Sequence, residues 1–432
     1  MTTIALVHRA KQTALTLATL STDAKNAALN AIAEALLAEA PAILAANAGD
    51  LSQAREDGLG GPLLKRLTFD QAKLDGVVAG VRSLVSLPDP VGVTLAATEL
   101  DKGLDLYKVS CPIGVIGVIF EARPDALVQI ATLCLKSGNA AVLKGGSEAL
   151  RTNRELARVI REASAAAGLD PEWLQLLETR ADVGEMLKLD DDIDLIIPRG
   201  SNAFVKYIME HSAIPVMGHA DGICHVYVDR DADPDMAVRV TVDAKAQYVS
   251  VCNAAETLLV HAAIAPSLLP RLAAALREAH VRLLGCERAR RLVPDMEPAA
   301  DSDWNTEYLD YILSVKVVDS LDEAIDHINT HGSGHTDVIV TQSEPTAAAF
   351  LSRVDSADVF WNCSSRFADG FRFGLGAEVG ISTNKLHARG PVGLEGLVIY
   401  KWLLKGHGQI VADYAEGRSH FTHRPLPLSS RP

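Results

Sequence analysis

Ala140-Ala141-Val142-Leu143-Lys144-Gly145-Gly146-Ser147-Glu148 is the stretch that decides the fold. Residues 140–143 form a short apolar run suited to a buried strand, two glycines interrupt it, and the chain passes straight into an amphipathic stretch over 149–167. Strand, glycine turn and helix in that order make half of a βαβ unit. The same rhythm extends outward, with strands expected at 115–120 and 195–197 and a helix at 202–211. A second series follows, with strands at 225–228, 256–260, 313–318, 338–340 and 359–361 and helices near 237–246, 266–280 and 321–330. Such alternation predicts parallel sheets in two α/β domains. Ahead of them, residues 5–57 are rich in Ala, Leu, Lys and Glu, with no glycine before Gly49, and predict long surface helices. The tail over 424–432 has no periodicity and reads as a mobile or interface-bound end.

A chain of 432 residues with 48% apolar and 22% charged residues can bury a large core in two or three domains. Its 41 basic and 55 acidic residues give a net charge of −14, which argues against a nucleic-acid backbone or an anionic membrane surface and for a small-molecule partner. Apolar runs such as 115–120 and 42–46 fall far short of the roughly 20 residues that span a bilayer. Residues 1–20 lack a signal-peptide core and read as an amphipathic helix. Six scattered cysteines suit a reducing compartment, so a cytoplasmic location is expected.

Four segments offer chemistry. Backbone amides at the helix start after Lys144, Gly145 and Gly146, with the Ser147 hydroxyl, suit a phosphate or dinucleotide. A plain βα turn carries the same residues, and the G-x-G-x-x-G spacing is absent. Cys134 lies in an apolar helical stretch and Cys111 and Cys224 in strand-like runs, as small buried hydrophobes do. Cys252 differs: it lies in a loop of small and polar residues, QYVSVCNA over 247–254, where a thiol is either inert or a nucleophile beside backbone donors. His331-Gly332-Ser333-Gly334-His335 has a histidine pair, but its glycines oppose a helical face and no third ligand is near in sequence. A polar loop without metal is expected there. Residues 366–389 gather Arg366, Arg372, Lys385 and Arg389 among glycines, after Trp361-Asn362-Cys363-Ser364-Ser365. They read as an anion grip or a solvated loop.

The segment VDSLDEAIDHINTHGSGHTDVI over 318–339, with PIGVIGVIFEARP over 112–124, IPRGS over 197–201 and NKLHARGP over 384–391, resembles the γ-glutamyl phosphate reductases, a branch of the aldehyde dehydrogenase superfamily. The resemblance covers nearly the whole chain. It implies an aldehyde dehydrogenase-like α/β fold of two Rossmann-related parallel-sheet domains plus a small oligomerisation hairpin. The cofactor-binding domain would cover 1–225 with the hairpin at 101–111, the catalytic domain 226–394, and a returning oligomerisation tail 395–432. The implied activity is NADPH-dependent reduction of L-glutamyl 5-phosphate to L-glutamate 5-semialdehyde with phosphate release, the second step of proline biosynthesis, through a thioester on Cys252.

By position, the resemblance puts Lys144 at the adenosine ribose, with Gly145 and Gly146 beside it and Ser147 facing the 2′-phosphate of NADP(H). Glu307 would hold the nicotinamide ribose, and Arg123, Arg199, Lys245 and Arg389 would grip phosphate and the amino-acid end. Two departures from the wider superfamily stand out. Its oxyanion asparagine would fall near Ala122, leaving the Cys252 N–H as a donor. Its water-activating glutamate would fall near Gly218 and His219 in MGHAD over 217–221, where no glutamate stands, which argues against a hydrolytic dehydrogenase. Relatives associate through the hairpin and the 397–410 region, so a homo-oligomer is expected, a dimer by default, with association with a glutamate 5-kinase as a further expectation. An acylating or hydrolysing aldehyde dehydrogenase for another substrate, a cysteine hydrolase with a histidine base, and a non-catalytic scaffold remain open.

Overall fold

Val115–Phe120 is buried at every position, which a strand covered by helices on both faces requires. In the computed structural model, which describes residues 2–121 and 123–429, it pairs in parallel with Ala140–Lys144 on one side and Leu195–Arg199 on the other, and Leu174–Leu177 completes a four-stranded sheet. The chain divides into two compact units, one of residues 1–217 and 392–432 and one of 218–391. The boundaries expected from sequence were 225/226 and 394/395.

Three N-terminal helices, Thr3–Leu17, Thr22–Ala38 and Ala40–Glu56, belong to the first unit. They are surface helices with buried stripes, such as Leu29, Ile32, Ala33 and Leu36. No single helix among the described residues is long and apolar enough to cross a membrane.

The second unit is built on seven parallel strands among the described residues, in the order Glu297–Pro298, Arg282–Gly285, Ile312–Val318, Ala255–His261, Cys224–Val228, Thr336–Val340 and Asp358–Trp361. Strand residues of opposite parity feed two cores: Val226, Leu258, Val315 and Val338 on one face, Tyr227, Leu259, Val318 and Ile339 on the other. Each such side chain, fully buried, contributes roughly 1.5–3 kcal/mol.

A separate antiparallel sheet in the first unit runs Val398–Lys405, Leu104–Pro112, Thr94–Asp101 and Arg424–Pro425. The hairpin therefore spans 94–112, and the expected 101–111 covers its turn and second strand. Thr94–Asp101 buries only Ala97 among its residues, so it carries no apolar alternation to announce it.

Candidate active site

Cys252 lies in the loop between helix Pro234–Ala246 and strand Ala255–His261. Both ends of that loop are clamped. Lys245 and Glu256 are fully buried, and Nζ donates to Oε2 at 2.5 Å. Burial pushes the Glu256 carboxyl up to about 7 and the Lys245 ammonium down from its ordinary value. This corrects the expectation that Lys245 grips substrate. Its only charge is committed inside the unit, and breaking a buried pair costs about 3–5 kcal/mol.

Within the loop, the Cys224 thiol donates to the Cys252 carbonyl at 3.1 Å, Ser365 Oγ donates to the Asn253 carbonyl at 2.6 Å, and Asn253 Nδ2 donates to the Ala368 carbonyl at 2.8 Å. Gly222 packs directly on this backbone. A Cβ there would run into the carbonyl oxygen, carbonyl carbon and Cα of Cys252, none of which can rotate away.

His335 Nε2 lies 3.1 Å from Cys252 Sγ. The polar-loop expectation for 331–335 is thereby corrected. Helix Leu321–His331 stops at Gly332, Gly334 adopts a φ of +70°, and His335 is delivered, fully buried, to the start of strand Thr336–Val340. Its Nδ1 lies 2.7 Å from Thr336 Oγ1. Burial, and then the nearby His219, hold its pKa well below the ordinary histidine value. The ring is thus neutral. With Nδ1–H donated to Thr336, Nε2 presents a lone pair to the thiol. Thr336 in turn hydrogen-bonds Asp358, whose carboxyl burial raises to about 6.

Two further groups join the thiol. The His219 ring stands edge-on to that of His335 with centroids 5.0 Å apart, and its Nδ1–H donates to the Ile381 carbonyl at 2.9 Å. Arg366 is buried, donates Nε–H to Gln247 Oε1 at 3.0 Å, and interacts electrostatically with Cys252. His331 takes a different partner, with Nδ1 3.1 Å from Asn305 Oδ1. Cys224 Sγ also lies near His335, 3.8 Å from Nδ1, but burial raises its thiol, as it raises that of Cys363 and pushes Cys134 up to about 12.

Glu307 is half-buried. The residues after it reach the thiol loop. Leu309, at a φ of +52°, donates its N–H to Glu256 Oε1 at 3.3 Å, and its carbonyl accepts from Ser250 Oγ at 3.4 Å.

In the first unit, Lys144 is buried and its Nζ donates to the Gly145 carbonyl at 2.6 Å. Ser147 begins a short 3-10 turn, Ser147–Ala149, that leads into helix Leu150–Ala166. The amides of that helix start do not face a ligand. Arg151 and Thr152 donate their N–H groups to the Asp50 carboxylate at 3.2 and 2.8 Å, so Asp50 already occupies the positive end of the helix, which corrects the expectation of a phosphate there. The Glu148 carboxylate lies against Gly146. What suits a dinucleotide is the side-chain set of Lys144, Ser147 and Asn153, whose buried Oδ1 has no hydrogen-bond partner among the described residues. Ammonium, hydroxyl and amide oxygen fit ribose hydroxyls or an attached anion.

The remaining expected grips are dispersed. Arg123 is largely exposed, 3.3 Å from Asp125, and Arg199 ends the strand Leu195–Arg199, half-buried. Arg389 donates to the Asp355 carbonyl at 3.1 Å and to its carboxylate at 3.2 Å. Ala122, the expected counterpart of the oxyanion asparagine, lies outside the described residues, as do 430–432.

Sequence reading missed His335 and Arg366 as partners of the thiol and placed His219 at the position of the absent glutamate, as a candidate with Asp221 to activate water. The signal for His335 was the β-branched run that follows it, which seats it at a sheet end.

The aldehyde dehydrogenase family model matches residues 3–284. The chain is 61% identical over 421 residues to a gamma-glutamyl phosphate reductase of Acetivibrio thermocellus, covering 98% of this chain and 97% of the relative. It is 62% identical over 421 residues to that of Pelotomaculum thermopropionicum, with the same coverage. The crystal structure of gamma-glutamyl phosphate reductase from Thermotoga maritima superposes with a TM-score of 0.93 at 39% identity, over 95% of this chain and 100% of that one. A fold of parallel sheets in two units, a thiol loop clamped in the second, and these matches over nearly the whole length agree: the chain belongs to the aldehyde dehydrogenase family, in its gamma-glutamyl phosphate reductase branch.

Proposed function

We propose that this chain reduces L-glutamyl 5-phosphate to L-glutamate 5-semialdehyde with release of phosphate, in proline biosynthesis, and that Cys252 is its nucleophile. The observation that carries the reading is the 3.1 Å approach of a neutral imidazole to the thiol of a clamped loop, beside a buried guanidinium. Cys252 Sγ attacks the acyl carbon as His335 Nε2 takes the thiol proton. The carbon–sulfur bond forms, the carbon–oxygen bond to phosphate breaks, and the imidazolium passes its proton to the departing phosphate. Arg366 favours the thiolate form by its charge. Family membership implies a nicotinamide cofactor, which when bound supplies the hydride that reduces the thioester carbonyl. Collapse of the resulting thiohemiacetal frees the aldehyde, and the expelled thiolate regains a proton through His335.

NADP(H) is the proposed form, with Lys144 and Ser147 receiving the 2′-phosphate, Gly145 and Gly146 giving close backbone approach, and Glu307 holding the nicotinamide ribose. Glu148 opposes an anion at that place, so Lys144 has to offset it. Arg123, Arg199 and Arg389 are the proposed grips for phosphate and the amino-acid end. The organisation into a cofactor unit and a catalytic unit, a homodimer built through the antiparallel sheet, association with a glutamate 5-kinase, and a cytoplasmic location belong to the same proposal.

A cysteine hydrolase also needs a Cys–His pair. The deciding assay follows NADP⁺ reduction with glutamate semialdehyde while inorganic phosphate is varied. Phosphate-dependent reduction is expected. Rescue by coenzyme A in place of phosphate would replace the reading with an acylating dehydrogenase, and acyl-phosphate hydrolysis without NADPH would replace it with a hydrolase. Equal use of NADPH and NADH would remove the roles given to Lys144 and Ser147.

A further inference from the structure

Cys252, His335 and His219 come from three separate segments, yet one ligand atom of each lies within 4.8 Å of the other two. Thiolate and imidazole are the donors that zinc prefers. Both rings are already oriented as metal ligands are. His219 donates Nδ1–H to the Ile381 carbonyl and His335 sets Nδ1 against Thr336 Oγ1, which in each case leaves Nε2 as the lone-pair nitrogen.

We infer that these three residues form a zinc site that reversibly closes the catalytic thiol. Around a tetrahedral ion, with Zn–S of about 2.3 Å and Zn–N of about 2.0–2.1 Å, sulfur and nitrogen stand roughly 3.6 Å apart. The 3.1 Å between Cys252 and His335 opens to that value by a small side-chain rotation. Three protein ligands leave a fourth position for solvent. Binding exchanges the thiol proton for the ion: a Zn–S bond forms, the S–H bond breaks and the proton goes to water, so affinity rises with pH. The bound ion removes the nucleophile and its proton acceptor together. The inhibitory consequence rests on Cys252 being the nucleophile; the metal site does not.

The probe is cobalt(II), titrated into the full chain after dialysis against a chelator. Expected are the intense visible bands of tetrahedral cobalt and a thiolate-to-cobalt charge-transfer band, saturating at one ion per chain and abolished by added zinc. Cys252→Ser removes the charge-transfer band, and His219→Gln weakens cobalt by at least the roughly 10–100-fold that loss of a supporting partner alone causes. Should His219→Gln fail to fold, His335→Asn carries the same expectation. His211→Gln, at an exposed histidine outside the cluster, leaves the titration unchanged. Weak octahedral bands only, a charge-transfer band that survives Cys252→Ser, or full affinity in a folded His219→Gln protein would overturn the site. NADPH oxidation measured in chelator reads the reductase separately: turnover without the cobalt spectrum removes the metal site alone, and the spectrum without turnover removes the reductase alone.

Discussion

Cys252 Sγ and His335 Nε2 lie 3.1 Å apart although 83 residues separate them in the chain. Each stands just ahead of a parallel strand, and the strand Cys224–Val228 runs between those two. The reactivity of the thiol is therefore a property of sheet order, and it can be dissected residue by residue.

Cys252→Ala should abolish reduction of glutamyl phosphate while NADPH binding, followed by fluorescence, stays nearly intact, because the proposed cofactor contacts are not made by the thiol. Cys363→Ala should leave the rate within about tenfold, a barrier change of roughly 1.4 kcal/mol. Substantial turnover by the Cys252 variant would remove the nucleophile.

His335→Asn should slow iodoacetamide alkylation of Cys252 at pH 7 by about 10²–10⁴-fold, the range for a positioned proton acceptor. A positioning effect on substrate alone would leave alkylation untouched, so an unchanged alkylation rate sinks the assignment.

Gly222→Ala places a methyl group against the Cys252 backbone. Displacing the thiol by about 1 Å is enough to cost roughly 10²-fold in kcat. Stability should fall less than activity. A fully active Gly222→Ala enzyme would show that the loop has room the packing denies.

Lys245→Met should destabilise the chain by about 3–5 kcal/mol near pH 8 by leaving a buried carboxylate unpaired. The sign follows from Glu256. Its folded pKa of about 7 already exceeds the ordinary 4.5, and without Lys245 burial acts unopposed, so the folded state holds the proton more tightly than the unfolded one. Stability is then full below about 4.5 and falls as pH rises through 7. Adding Glu256→Gln, which keeps an acceptor for the Leu309 N–H, should restore most of it and flatten the pH dependence in urea titrations.

Without phosphate, NADP⁺ and glutamate semialdehyde should yield a burst of about one NADPH per site and then almost stop, since no glutamate stands at 218–219 to activate water. Phosphate should restart it. His219 is the group of that segment nearest the thiol cluster. Steady oxidation without phosphate that vanishes in His219→Gln would make this histidine the water-activating base.

The sequence by itself determined the elements and the family. Apolar runs such as 115–120 and 338–340 are readable because burial on both faces leaves no polar alternation, and helix 202–211 because its apolar period is local. The polar loop around Cys252 likewise shows in local composition. The partners of that thiol do not. The run that follows His335 shows only that it precedes a strand, not that it meets a thiol, and Lys245 looks like any surface cation until burial pairs it with Glu256. The turn after Lys144 misled for the same reason: Asp50, 101 residues from Arg151, takes the helix end that the local pattern offered to phosphate. Local periodicity records which face of an element is buried. Which loops then meet at the end of the sheet depends on strand order, and that contact between distant residues exists only once the chain has folded.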